Sequence, residues 1–175
     1  MYKYIKRLLD IIISLILIII LSPILLIMLI ITKIEFSGNP IYSQYRIGKN
    51  EKPFKIYKFK TMDDNTKKTT KVSRVIRTIG LDELLQLFNV LNGTMSIVGP
   101  RPFIVGDSLP SMYNKKRHSV RPGITGLAQV NGRITLTHKE KLKYDGIYVN
   151  NVSFIMDLKI VLKTIKYVFK VIIGK

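Results

Sequence analysis

The run Ile11-Ile12-Ile13-Ser14-Leu15-Ile16-Leu17-Ile18-Ile19-Ile20-Leu21-Ser22-Pro23-Ile24-Leu25-Leu26-Ile27-Met28-Leu29-Ile30-Ile31 is large and apolar at every position except Ser14, Ser22 and Pro23. As a helix it is hydrophobic all round for roughly 30 Å, at ~1.5 Å per residue, which is the thickness of a bilayer's hydrocarbon core. The run is too long for a secretory signal, and no small-x-small cleavage site follows before Lys33, so it is expected to stay in the mature protein. Upstream, Lys3, Lys6, Arg7, Asp10 and Ser14 recur at helical spacing on one face, as in a helix that starts among headgroups and submerges obliquely.

Pro23 is the flaw in this helix. It lacks an N–H, and its ring crowds the carbonyl four residues back, at Ile19, so a kink or break is expected at Ser22-Pro23. The Ser22 hydroxyl is placed to satisfy a freed backbone group. Two topologies follow. One is a single-pass helix with a proline kink. The other is a re-entrant hairpin, each arm reaching about 16 Å, half of a ~30 Å core, and returning to the face it entered. Lys3, Lys6 and Arg7 precede the run and a basic domain follows it. A spanning helix puts one of these groups on the outer side, whereas the re-entrant form satisfies both flanks.

The whole chain has 175 residues, enough for one domain with an attached segment: a membrane helix over 1–34 and a single domain over 35–175. Its 29 Lys+Arg against 11 Asp+Glu leave a net charge of +18, which attracts phosphates, nucleic acid or an anionic leaflet. The absence of cysteine excludes disulfides, Cys-based zinc sites and thiol nucleophiles, and two histidines, His118 and His138, offer little to a metal site. Nucleotide-loop, zincin and serine-hydrolase signatures are absent. Lysines alternate with aromatics around Tyr57 and Phe59, but an exposed hairpin has the same look; with no helix-turn-helix or RNA-binding module, nucleic acid is not expected as a partner.

Within the domain, Ile41 to Ile47 and Phe54 to Phe59 flank a turn-rich segment and predict a β-hairpin with a long loop. Asp63 to Lys71 is polar and reads as a mobile loop. Asp82 to Leu91 has leucines at helical spacing, opens on acidic residues and closes at Asn92-Gly93. Ser96 to Pro102 reads as a short extended piece ending in a rigid turn. In a final amphipathic helix over 157–173, Lys159, Lys163, Lys166 and Lys170 form one stripe opposite Val161, Ile165, Val168, Phe169 and Ile172, which suits either a core helix or an interfacial one.

Few carboxylates are available for chemistry. Asp10 has Lys6 and Arg7 as helical neighbours, Asp157 reads as a cap of the last helix, and Asp63 and Asp64 read as solvated. Asp82-Glu83 sits at a helix N-terminus shortly after Arg77 in a strongly basic protein, where both groups are expected to ionise and to gather a divalent cation and a phosphate. The plainer reading is that the pair caps a helix.

Four blocks carry a resemblance. Residues 54–62 (FKIYKFKTM), 81–91 (LDELLQLFNVL), 95–102 (MSIVGPRP) and 121–133 (RPGITGLAQVNGR) closely resemble, in order, the bacterial sugar transferase family, the monotopic phosphoglycosyl transferases. The Lys/Arg…Asp start, the Ser22-Pro23 break, and Asp145 with Tyr148-Val149 and Asp157-Leu158-Lys159 extend the resemblance over nearly the whole chain, in what looks like the minimal catalytic form. Leu81, Leu85, Thr94 and Leu127 depart from the family's usual residues, none at a charged motif position.

The resemblance implies an α+β, mainly helical monotopic membrane protein with a re-entrant, Pro-broken N-terminal helix, a small β-hairpin and interfacial helices. It implies transfer of a sugar-1-phosphate from a UDP-sugar to polyprenyl (undecaprenyl) phosphate, with Mg²⁺ and a covalent phospho-sugar intermediate, as the initiating step of bacterial polysaccharide or glycoprotein assembly on the cytoplasmic face of the inner membrane. Asp82 would be the nucleophile and UMP the leaving group, Glu83 would support the metal or the acceptor, and Arg77, Arg101, Arg133 and Lys60 would hold phosphates. Gln129 and Asp145 are secondary site residues. Anionic lipids are expected around the protein, and a homodimer is compatible with the sequence. A non-catalytic, basic membrane-surface adaptor is the alternative, with a DNA-binding membrane protein behind it.

Overall fold

The computed structural model describes residues 2–36, 38–64, 66–106, 115–132 and 135–173. Arg133 lies outside these residues. The chain runs α1 (Tyr2–Glu35), β1 (Ile41–Ile47), β2 (Pro53–Phe59), α2 (Lys71–Ile79), α3 (Gln86–Leu91), β3 (Ser96–Val98), β4 (Gly123–Thr125), α4 (Leu127–Val130), α5 (His138–Asn150) and α6 (Phe154–Ile173). The fold is mainly helical, with two small two-stranded sheets.

α1 is long and apolar enough to cross a membrane by length and composition. Of the kink or break expected at Ser22-Pro23, a break is not seen: one helix is continuous through these residues. The carbonyl that Pro23 leaves without an amide partner, Ile19, accepts a hydrogen bond from the Ser22 hydroxyl at 2.8 Å. That bond offsets part of the proline penalty.

Both ends of α1 are tied to the rest of the chain. Near its start, the Asp10 carboxylate is buried and accepts from Ser96 Oγ and Ile97 N, both at 3.0 Å, while Arg7 donates to the carbonyls of Val90 and Leu91 that end α3. Asp157 lies inside the first turn of α6 and is a junction rather than a cap: it accepts from Tyr2 Oη at 2.5 Å, Lys6 Nζ at 2.6 Å and the buried Tyr148 Oη at 2.8 Å. Near the other end, Leu25 and Met28 pack with Phe59, Ile76 and Leu85, and Glu35 accepts from Thr70 and Ser73 at the start of α2. Between these anchors Ile12, Leu15, Ile16, Ile19 and Ile20 are exposed.

The hairpin forms where the pattern predicted it, with β1 antiparallel to β2 and Ile41 opposite Phe59. Phe54, Ile56 and Phe59 face inward from β2, the first two against Val90 and Met95. The segment Asp82–Leu91 is not one α-helix. Gly80, at φ 81°, ends α2 in the left-handed region, a 3-10 turn covers Leu81–Glu83, and α3 begins only at Gln86. β3 pairs in parallel with β4, a contact that needs glycine: a Cβ on Gly123 would lie 2.0 Å from the Gly99 amide. α6 turns Ile160 into a core with Val98 and Tyr148, while Leu158, Leu162, Ile165 and Phe169 remain exposed beside the lysine stripe. The core reading of α6 therefore holds for the edge that carries Ile160, and its exposed residues are the ones the interfacial reading concerns.

Candidate active site

Asp82 and Glu83 line a cavity of about 780 Å³ together with seven cations, Arg46, Lys58, Arg74, Arg77, Arg101, Arg117 and Lys141. The left-handed turn at Gly80 brings the last turn of α2, with Arg77, and the Asp-Glu turn to the same space. Lys58 arrives from β2, and Arg101 from the rigid Pro-Arg-Pro segment after β3.

The two carboxylates have opposite environments. Glu83 is clamped: Oε1 accepts from Lys58 Nζ at 2.6 Å and from Arg101 Nη2 at 2.7 Å, while Oε2 faces Arg101 Nη1 at 3.3 Å. Burial opposes its ionisation, but Arg101 and then Lys58 outweigh that and hold the carboxyl well below the usual carboxylate range. Asp82 is 9% exposed, and among the described residues no side chain donates a hydrogen bond to it. Its burial, followed by the neighbouring Glu83 charge, pushes its pKa up from the usual value, with Lys58 and Arg77 pulling the other way. Asp82 is thus a carboxyl kept near cations without a side-chain hydrogen bond to them, as an available nucleophile should be.

A second pair frames the far wall. Arg117 donates to Asp145 Oδ2 from Nη2 at 2.6 Å and Nε at 3.2 Å, and both side chains are buried, at 5% and 6% exposure. Nη2 also donates to the Arg101 carbonyl at 2.8 Å, and the guanidinium stacks 3.9 Å from the Phe103 ring centroid. Burial pushes the Asp145 carboxyl up, against the attraction of Arg117. The pair fixes the backbone that carries Arg101.

Of the residues singled out in the sequence, Asp82, Glu83, Arg77, Arg101, Gln129 and Asp145 line this one cavity. Lys60 does not: it is buried elsewhere, paired at 2.6 Å with Asp64. Lys58, Arg46, Arg74, Arg117, Lys141 and Tyr167 line the cavity without having been singled out. Lys58 was within reach of sequence reasoning, because it follows Phe54 and Ile56 at the strand period and so shares their inward face of β2.

A second cavity, about 270 Å³ and apolar, opens beside the first. Leu17 and Leu21 of α1 line it with Leu84, Val161, Ile165 and Val168, and the two cavities meet at Glu83, Arg101 and Gln129. The Gln129 amide donates to the Ile124 carbonyl, and its buried oxygen has no hydrogen-bond partner at this junction.

For a metal, no group of three or more His, Asp or Glu among the described residues is arranged to hold one. Mg²⁺ is commonly held by one or two carboxylates together with substrate phosphates. Asp82 fits that pattern, whereas the oxygens of Glu83 are taken by Lys58 and Arg101.

The description of the matching family is bacterial sugar transferase, and its model covers residues 1–171. The uncharacterized sugar transferase EpsL of Bacillus subtilis is 40% identical over 93% of this chain and 86% of its own. A UDP-glucose:undecaprenyl-phosphate glucose-1-phosphate transferase of Klebsiella pneumoniae is 44% identical over 97% of this chain. A UDP-N-acetylgalactosamine-undecaprenyl-phosphate N-acetylgalactosaminephosphotransferase of Aeromonas hydrophila is 37% identical over 94% of it. The match spans 40% and 44% of the lengths of these last two relatives.

Proposed function

The chain belongs to the bacterial sugar transferase family, and from that premise we propose that it moves a sugar-1-phosphate from a UDP-sugar to polyprenyl phosphate through a covalent intermediate on Asp82. The observation that carries this reading is the junction of two unlike cavities at the Asp-Glu turn. One is cationic and roomy enough for a nucleoside diphosphate sugar, and the other is narrow, apolar and bordered by α1. The two cavities share Glu83, and Asp82, which lines the cationic one, is its neighbour in the chain.

Asp82 Oδ attacks the sugar-bearing phosphorus; the bond from that phosphorus to the bridging oxygen breaks, and UMP leaves with the electron pair. Arg77 and Lys58 lie close enough to interact with Asp82 and so with a phosphate brought to it, and Arg101 borders the same cavity. Glu83 spends its charge on Lys58 and Arg101 and acts as their positioning residue. Mg²⁺, when bound by Asp82 and the diphosphate, would neutralise charge on the leaving group. An oxygen of the polyprenyl phosphate then attacks the phosphorus of the phospho-aspartate, which releases the carboxylate and forms the lipid diphosphate-sugar. No net proton is consumed. The first prenyl units would lie along Leu17, Leu21, Val161 and Ile165, at the border shared with Gln129.

The anchoring of α1 at both ends to one domain supports a re-entrant helix on the cytoplasmic face. The chain has no native cysteine, so a cysteine placed at Lys3 would be labelled only from the cytoplasmic side; labelling only from outside would refute the topology. The reaction is tested by UMP release from a panel of UDP-sugars with polyprenyl phosphate and Mg²⁺. Release with one donor, lost in Asp82→Asn, is expected. Normal turnover in that variant would overturn the assignment.

A further inference from the structure

The loop between β1 and β2 closes a third cavity, of about 390 Å³, that shares no lining residue with the donor cavity. Its polar walls are Lys49, Lys52 and Arg121, with Gly93 and Thr94 between them, and no carboxylate among the described residues lines it. Two further cations crowd its rim. Arg7 lies over Gly93, close enough that a Cβ there would stand 3.2 Å from its Nη2, and the ammonium of Lys3 reaches that of Lys49. Burial, with Lys3 and then Arg121 beside it, lowers the pKa of Lys49.

Two of these cations are held in place by the backbone. Arg7 is fixed by the carbonyls of Val90 and Leu91, and Arg121 Nε donates to the Gly93 carbonyl at 2.8 Å. Of the described acids, Asp10 accepts from β3 through one oxygen and acts on Arg7 by its charge alone, and Glu51 pairs with Lys115 at 3.6 Å. Like charges held this close repel unless an anion lies among them. Lys3 and Arg7 belong to the start of the apolar helix α1, so the cavity mouth sits where that helix meets the headgroups.

We propose that this cavity binds the phosphate of an anionic phospholipid headgroup, through Lys49, Lys52 and Arg121 with Lys3 and Arg7 at its rim. It is a structural lipid site, separate from the acceptor site and independent of the transfer reaction. The chemistry recognised is a phosphate anion, and the lipid source is chosen because two of the cations are carried by the membrane helix.

The test is native mass spectrometry of the full-length protein with phosphatidylglycerol, phosphatidylcholine or inorganic phosphate. Lys49→Gln/Lys52→Gln is compared with Lys49→Arg/Lys52→Arg and with Lys159→Gln on the exposed α6 stripe. The wild type is expected to retain phosphatidylglycerol over phosphatidylcholine. The glutamine pair should bind it about thirtyfold more weakly, given the attraction of each lysine to an anionic surface, while the arginine pair and Lys159→Gln retain it. Equal retention in the glutamine pair, equal loss in Lys159→Gln, or binding of inorganic phosphate without the lipid would each overturn the proposal. Because lipid retention is read without donor or acceptor, failure here is distinct from failure of the transferase reading.

Discussion

Replacing Asp145 by asparagine strands the Arg117 guanidinium in a site where both partners are almost fully buried. Arg117 then keeps its hydrogen bond to the Arg101 carbonyl and its stacking on Phe103, but loses its counter-ion. Breaking a buried pair in this way costs about 3–5 kcal/mol, because an uncompensated charge stays behind. In a domain of this size that lowers the midpoint of thermal unfolding by about 6–20 °C. Removing both partners behaves differently. The upward push on Asp145 means that burial already outweighs the attraction of Arg117, so Arg117→Met/Asp145→Leu should restore most of the loss. The assay is a fixed-rate thermal melt in one detergent of the wild type, Asp145→Asn, Arg117→Met and the apolar pair. A double replacement that loses the sum of the two single losses would refute the reasoning, since the destabilisation would then come from packing and not from a stranded charge.

Glu83→Gln removes a negative charge that raises the Asp82 pKa, after burial, and frees Lys58 and Arg101 to lower it further. Attack needs deprotonated Asp82, so activity rises with pH through that pKa; the acid limb of kcat/KM should move to lower pH in the variant even as the rate falls, and an upward move would contradict the assignment. Gly123→Ala drives a Cβ to 2.0 Å from the Gly99 amide; separation of β3 from β4 should cost more than about 3 kcal/mol, read as loss of folded, monodisperse protein. Thr70→Ala removes the hydroxyl that caps α2 at Ser73 N and donates to Glu35; a loss of about 1 kcal/mol is expected, seen as a small drop in melting temperature.

Much of this anatomy was legible in the chain because it rests on local pattern. The hairpin follows alternation, the apolar helix follows length, and the Asp-Glu turn follows its position before a leucine-rich helix. What escaped was whatever depends on distant partners. α5 opens at a capping threonine, Thr137, inside a stretch that no apolar periodicity marks, whereas α2, capped by Thr70, carries Val72, Val75, Ile76 and Ile79 at helical spacing and was within reach of the sequence. The β3-β4 pair joins residues far apart in the chain through glycine contacts that no window of sequence contains. Asp157 looked like a cap because it precedes a helix, whereas it is the point where α1 is fastened. At Pro23 the sequence allowed a kink or a break, and the helix runs on with Ser22 bonded to the carbonyl that the proline abandons. At the site, Arg101 and Glu83 could be named from their motifs, but their mutual clamp with Lys58 required the strand, the turn and the Pro-Arg-Pro segment to converge.

In the proposed reaction Asp82 becomes covalently bonded to the phospho-sugar. The most direct test is intact-protein and peptide mass spectrometry after rapid quenching of enzyme mixed with a UDP-sugar and Mg²⁺ in the absence of acceptor. An adduct of one sugar phosphate is expected on the peptide bearing Asp82, discharged when polyprenyl phosphate is added and absent from Asp82→Asn. UMP release at full rate only when acceptor is present, with no adduct at any quench time, would contradict that reaction.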